Sequence, residues 1–176
     1  MDWRAWHDAY EEPGSGLAER LALVQEQVSV AFDRMPAGPI RALSLCAGQG
    51  RDLIGALAGH ERREDVNARL IELDEHNVEI ARRAARLTGL EEVEVVAGDA
   101  SSTHACAGAV PANLVLVCGL FGNISPADIQ RTIAGLPQLC ADDAMIIWTR
   151  HCGPPDLTPT IRRWFSARAF KELTFE

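Results

Sequence analysis

The segment Ile40-Arg-Ala-Leu-Ser-Leu-Cys-Ala-Gly-Gln-Gly-Arg-Asp-Leu-Ile54 constrains this chain more than any other. Residues 40–46 form a short apolar run without helical periodicity. The run breaks into Gly48-Gln-Gly50, and a helical pattern follows from Asp52 to about Ala58. Strand, tight glycine turn and helix in that order bring backbone amides and a helix N-terminus against a nucleotide-like ligand in α/β domains. A purely structural turn would use the same residues, so the turn becomes a site only in the company of other signals.

The dinucleotide fingerprint G-x-G-x-x-G fails here in both registers. Starting at Gly48 it meets Leu53 in place of the third glycine; starting at position 46 it finds Cys46 and Arg51 where glycines belong. A shorter pattern fits: a small residue, x, Gly, x, Gly, with Cys46 in the first slot. A ligand without a pyrophosphate, S-adenosylmethionine for example, does not need the helix terminus cleared so completely.

The chain of 176 residues is long enough for one domain with a sizeable core, and 47% hydrophobic content is ordinary for a globular protein. A formal charge of −8 argues against general binding to a phosphate backbone. No apolar run approaches the roughly 20 residues that span a membrane, and Met1-Asp-Trp-Arg-Ala-Trp-His7 lacks the apolar core of a signal peptide. Cysteines 46, 106, 118, 140 and 152 form no C-x-x-C and read as reduced thiols of a cytoplasmic protein.

Trp3, Trp6 and Tyr10 lie at helical spacing before the break at Pro13-Gly-Ser-Gly16. An amphipathic helix follows from Leu17 to Met35, with Leu17, Leu21, Val24, Val28 and Phe32 on one face. Residues 1–36 are thus expected as an N-terminal helical cap or lid and residues 37–176 as the nucleotide-binding domain, the two making one structural unit. Whether the aromatic segment packs on the body or closes over a site stays open.

A second strand is expected at Asn67–Leu73, ending in Asp74, before a helix over residues 75–87. Asp74 follows Gly50 at close to the roughly 20-residue spacing at which an acid meets a ribose; an ordinary helix N-cap is the other role for it. A third strand, Glu92–Ala97, runs into Gly98-Asp99-Ala100, where the carboxylate suits an exocyclic adenine amine and the Ala100 N–H a ring nitrogen. Gly-Asp is also ordinary turn chemistry. Asn113–Cys118 is apolar throughout its centre, as a strand buried on both faces should be. A helix over 128–139 broken by Pro137, a fifth strand at Ala144–Thr149, a helix over about 158–169 and a sixth strand at Glu172–Phe175 complete the pattern. The alternation predicts a doubly wound, mostly parallel, Rossmann-like α/β sheet.

Leu43-Ser-Leu-Cys-Ala-Gly-Gln-Gly50, Glu72-Leu-Asp74, Gly98-Asp-Ala100 and Asn113-Leu-Val-Leu-Val-Cys-Gly119 together resemble the class I S-adenosylmethionine-dependent methyltransferases. The resemblance runs from about residue 17 to the end. It implies S-adenosylmethionine as cofactor, held by Cys46, Ala47, Gly48, Gln49, Gly50 and Asp52 at the turn, by Asp74 at the ribose, by Gly98, Asp99 and Ala100 at the adenine, and by Gly119 and Phe121 after the fourth strand. Two positions depart from the family. Ser44 stands where an acidic residue is usual, with Asp52 as its candidate substitute, and Cys46 stands for the first glycine. The family sheet has seven strands in the order 3-2-1-4-5-7-6. Strand seven is missing from the six expected here, so residues 171–176 are expected to be disordered, shifted against strand five, or paired with a neighbouring molecule.

Methyl transfer needs in-line approach of a nucleophile to the methyl group, and positioning supplies much of the rate. A general base helps only where the nucleophile carries a proton of high pKa. The candidates are His151, Asn123 and Tyr10, with Phe121, Trp6 and His7 beside them at the mouth. No base-amine motif and no catalytic cysteine motif occurs. His104 with Cys106, and His151 with Cys152, lack partner pairs at ligand spacing, so no metal is expected. Three classes stay open: a methyltransferase acting on a small molecule, a nicotinamide-dependent oxidoreductase on a similar sheet, and a catalytically inactive S-adenosylmethionine-binding protein. The expected partners are a small-molecule substrate and, through an exposed strand edge, further copies of the chain; bulk nucleic acid and membranes are not.

Overall fold

In chain order the elements are α1 (Gly16–Arg34), β1 (Ile40–Leu45), α2 (Arg51–Ala58), β2 (Val66–Glu72), α3 (Glu75–Leu87), β3 (Val93–Ala97), α4 (Thr103–Cys106), β4 (Ala112–Val117), α5 (Pro126–Gly135), β5 (Cys140–Trp148) and α6 (Thr158–Ser166). The computed structural model describes residues 10, 12 and 14–176. The strands form one sheet in the order β3-β2-β1-β4-β5, and every pairing is parallel. This is the Rossmann-like frame that the alternation of elements predicts.

Strand alternation sorts the apolar side chains into two layers. Ile40, Ala42, Leu70, Leu114 and Leu116 face a core shared with α1, α2 and α3. Leu43, Leu45, Ile71, Val115 and Val117 face a second core shared with α5 and α6. The central strands β1 and β4 are buried on both sides, which is why they read as near-continuous apolar runs. α1 is opened by Ser15, whose side chain accepts from the Ala18 N–H at 3.1 Å. It buries Val24, Val28, Ala31 and Phe32 against the sheet, while Leu17 and Leu21 of the expected face are only partly covered.

The direction in which strands are added reverses between β1 and β4. Loops leaving the carboxyl ends of such neighbouring strands diverge to opposite faces and leave a crevice between them. β1 pairs with β2 from Ile40–Val66 through Leu45–Ile71, so the glycine turn after β1 emerges beside Glu72, the last residue of β2. The site is positioned by that register.

The sixth strand expected at Glu172–Phe175 is not formed. Ala169 adopts φ +64°, which turns the chain after α6. Glu172 is drawn into a two-point ion pair with Arg162, at 2.7 and 2.6 Å. The Arg162 guanidinium lies 4.5 Å from the Phe175 ring centre, and that ring lies 6.3 Å from Trp148 of β5. The segment therefore rests against β5 through side chains, without ladder bonds. Of the three expected arrangements it follows the shift against strand five. Among the described residues no helix is long and apolar enough to cross a membrane.

Hydrogen exchange distinguishes side-chain docking from strand pairing. Amides of residues 171–176 should be fully deuterated at the earliest time sampled, while those of β4 should open only with global unfolding. Slow exchange shared by both segments would show that 172–175 is a paired strand after all.

Candidate functional site

The turn between β1 and α2 is built from backbone in the left-handed region. Cys46 has φ 53° and Gly50 has φ 72°. At Gly50, a Cβ would stand 2.7 Å from Ile54 Cδ1 and 2.8 Å from Leu70 Cδ2, so no larger residue fits without moving the core. Gly50 is also the N-cap of α2. Cys46 accepts the strain that the family's glycine avoids. Burial pushes its thiol up to about 11, and the charges of Glu72 and Asp99 add to the effect. The thiol is therefore neutral and poorly suited to act as a nucleophile.

Glu72 ties the turn to the next strand. One carboxylate oxygen accepts from the Gly48 N–H at 2.7 Å, and the other accepts from the Asp74 N–H at 2.9 Å. Asp74 is the N-cap of α3, its Oδ1 accepting from the Asn77 N–H at 3.0 Å. Gln49 Oε1 accepts from Arg51 Nε at 2.9 Å. Glu72, Asp74, Asn77, Gln49 and the turn line one side of a cavity of about 590 Å³.

The opposite side is lined by Tyr10, Arg20, Asp52, Cys118 and Gly119. Arg20 reaches across from α1: Nη1 donates to Thr149 Oγ1 at 3.0 Å, and Nη2 donates to the Tyr10 hydroxyl. Thr149 Oγ1 also accepts from the Gly119 N–H at 3.1 Å, joining the ends of β4 and β5. Arg20 Nε is shut off from solvent and finds no acceptor among the described residues. The Tyr10 ring lies 5.6 Å from the Arg20 guanidinium and 5.4 Å from that of Arg51. Burial raises the Tyr10 hydroxyl to about 12, against the opposing pull of Arg20, so it stays protonated near neutral pH. Burial also raises the Asp52 carboxyl, while the Arg20 charge and the Cys118 thiol draw it back.

Of the residues expected from sequence, Cys46, Ala47, Gly48, Gln49, Asp52, Asp74, Gly119, Asn123 and Tyr10 line this single cavity. Gly50 lies under the turn as a cap. Gly98, Asp99 and Ala100 sit at the end of β3, outside the wall of the cavity; Asp99 is exposed and its Oδ1 accepts from the Ser101 N–H at 2.8 Å, which lowers its carboxyl. Phe121 does not reach the cavity. It is fully buried in the second core, with ring centres 6.0 Å from Trp148 and 6.3 Å from Phe165, because that aromatic cluster removes its whole ring from water. Leu120 and Ile124 face the cavity instead. His151 does not reach it either: it is exposed, and its Nδ1 accepts from the Gly153 N–H at 3.2 Å. Trp3, Trp6 and His7 lie outside the described residues. Among the described residues no group of three or more His, Cys, Asp or Glu could hold a metal ion.

Sequence reasoning passed over Arg20, Arg51 and Asn77, and it quoted Glu72 only as part of the motif that carries Asp74. Glu72 carried a signal, since it closes β2 and points to the same end of the sheet as the turn. Arg20 carried none: its partner Thr149 is 129 positions away.

A family described as "putative methyltransferase" matches residues 14–170. No curated protein sequence matches the chain. Among solved structures, a "putative O-methyltransferase" from Nostoc punctiforme superposes with a TM-score of 0.68 at 15% identity, covering 86% of this chain and 51% of its own. A precorrin-6y C5,15-methyltransferase from Geobacter metallireducens superposes at 0.64 and 11% identity, covering 91% of this chain and 74% of its own. A methyltransferase from Thiobacillus denitrificans, solved with S-adenosyl-L-homocysteine, superposes at 0.54 and 20% identity, covering 71% of this chain and 46% of its own. At such identities the likeness is one of fold. This chain spans about half the length of the Nostoc and Thiobacillus proteins.

The turn is open to a direct stability test. Gly50→Ala should cost roughly 2–4 kcal/mol, the sum of a left-handed alanine and an overpacked contact. Cys46→Gly, which relieves strain but loosens the unfolded chain, should stay within about 1 kcal/mol of the parent. Denaturant midpoints compare them, and a Gly50→Ala variant as stable as the parent would show that the turn is laxer than described.

Proposed function

The chain belongs to the class I S-adenosylmethionine-dependent methyltransferase family, and from that premise we propose that it transfers the methyl group of S-adenosylmethionine to a small-molecule acceptor. The observation that carries this reading is the Glu72 carboxylate bridging two strand-end loops on the wall of the 590 Å³ cavity. A volume of roughly 300–1,000 Å³ with a few convergent polar groups suits a cofactor-sized ligand. A neutral, glycine-lined turn between an acidic wall and a cationic one fits a ligand with hydroxyls at one end and a carboxylate at the other.

Glu72 accepts hydrogen bonds from the ribose hydroxyls in this proposal. Each Glu72 oxygen keeps acceptor capacity beyond its one backbone bond. Its carboxylate is half-buried at the end of β2, whereas Asp74 is exposed and caps α3 through Oδ1; on that ground the role expected of Asp74 passes to Glu72. Asp99 and the Ala100 N–H hold the adenine at the rim, and the turn from Cys46 to Gly50 runs beneath the cofactor. The sulfonium supplies an electrophilic methyl group: the acceptor's lone pair forms the new bond, the C–S pair stays on sulfur, and any acceptor proton leaves to solvent or a base. Leu120, Asn123 and Ile124 border the acceptor's approach. Asn123, fixed by donating its Nδ2–H to the Gly119 carbonyl at 2.6 Å, orients the acceptor rather than deprotonating it. Tyr10, with its hydroxyl raised to about 12, acts as a wall and a donor and not as a base. The five free cysteines agree with a cytoplasmic setting.

Calorimetry with S-adenosylhomocysteine tests the assignment. Glu72→Ala should lose roughly 2–4 kcal/mol of binding, the worth of two charge-assisted hydrogen bonds. Asp74→Ala should lower the stability of the fold by about 1 kcal/mol and leave affinity nearly unchanged. Strong binding by Glu72→Ala together with lost binding by Asp74→Ala would reverse the roles, and no binding by the parent protein would remove the donor altogether.

A further inference from the structure

β5 is the last strand of the sheet. Among the described residues it pairs with β4 alone, so the backbone along its outer side has no ladder partner. An unpaired edge of this kind, with Met145, Ile146, Ile147 and Trp148 only half-buried, is a template for another chain unless something covers it. The segment after α6 lies across it. Glu172 sits on Arg162 of α6, the Phe175 ring on the Arg162 guanidinium and against Trp148, and Glu176 Oε1 accepts from Gln27 Nε2 of α1 at 3.4 Å. The segment therefore bridges a groove from the α6 side to the α1 side.

That cover is incomplete. Leu173 is 61% exposed and Phe175 45%, and a cavity of about 1060 Å³ stays open between α1, β5, α6 and the segment. The hinge is also strained. Ala169 holds φ +64° just past the helix, where glycine is the usual residue, while the Phe170 N–H closes the turn on the Phe165 carbonyl at 3.2 Å. Extending the hinge would release Ala169 from the left-handed region. Charge suits the segment to the groove. Arg34, Arg162 and Arg163 line the wall, with Asp143 as the opposing acid, and the segment brings Glu172 and Glu176.

We propose that two copies of the chain exchange this segment across facing β5 edges, residues 170–176 of each docking in the groove of the other. Every contact that the segment makes in its own chain is available in an identical groove, which is why exchange of an identical element is a low-cost route to a dimer. Two terms favour the exchanged pair. Both Ala169 hinges relax, and the approach of the copies takes Leu173 and the β5 edges out of water. Extended, residues 170–176 reach roughly 23 Å, enough to cross between edges that abut. The contact is the same patch on both copies, so it closes as a pair and does not propagate into a filament.

Light scattering on the full chain over a wide concentration range should show a monomer–dimer equilibrium. Arg162→Glu and Glu172→Arg supply the decisive comparison, and both positions are half-exposed enough to leave the fold intact. Within either variant like charges meet whether the segment docks in its own chain or in a like copy, so exchange relieves nothing. An equal mixture restores both ion pairs, and it does so only in an exchanged heterodimer. The mixture should associate roughly 10-fold more tightly than either variant with itself. Ala169→Gly, which removes the strain from the closed hinge, should weaken association of the otherwise unaltered chain by roughly 10-fold. A monomer at every concentration, or a mixture that associates no more tightly than its two components, overturns the exchange.

Discussion

A single carboxylate holds the site together. Glu72 places one oxygen on the N–H of Gly48 and the other on that of Asp74, so the turn after β1 and the start of α3 are fixed to one group at the end of β2. Hydrogen bonds to an ionised acceptor are among the stronger ones available to a protein. Neither loop carries a ladder bond at these positions, and both are exposed to the cavity. Without the carboxylate the turn would rest on two backbone bonds, from the Ala47 N–H to the Ile71 carbonyl and from the Gly50 N–H to the Ala47 carbonyl, both at 2.9 Å. The position of that carboxylate follows in turn from the β1–β2 register, which sets Leu45 against Ile71.

The sheet order then separates two kinds of chemistry. β2 lies on one side of β1 and β4 on the other. Groups near the end of β2 accept hydrogen bonds: the carboxylates of Glu72 and Asp74 and the amide oxygen of Asn77. Groups at the ends of β4 and β5 surround a cation: Arg20 is anchored on Thr149, which also holds the Gly119 amide. The turn runs between them with little charge of its own. Chemistry in such a site depends more on placement than on strong acids or bases. Tyr10, Cys46 and Cys118 are all pushed up by burial and stay protonated near neutral pH. In the proposed methyl transfer such a site would contribute by aligning two reactants and excluding water, which is where much of the rate enhancement of such reactions resides.

The features legible in the sequence were those written locally. β1, its turn and α2 could be read because an apolar run, closely spaced glycines and a helical pattern follow one another directly. β4 declared itself by being apolar on both faces, which only a central parallel strand requires. What escaped reading depended on partners elsewhere in the chain. Phe121 lies one residue from Leu120, and nothing in the local pattern says which of the two faces the cavity; Trp148 and Phe165 decide it by offering an aromatic pocket. Glu92 to Ala97 and Glu172 to Phe175 look equally strand-like, yet the second is diverted by Arg162 before it can pair. Glu72 and Asp74 are two acids two residues apart, and capping geometry separates them where spacing could not. Arg20 reaches the cavity only because α1 packs across the same face of the sheet as α2.

The most direct measurement of the central claim is a crystal structure of the protein with S-adenosylhomocysteine bound at full occupancy. The account predicts the ribose hydroxyls within hydrogen-bond distance of Glu72 and the turn from Cys46 to Gly50 beneath the thioether. A ligand bound in the reverse orientation, with adenosine at Arg20, or bound outside this cavity, would contradict it.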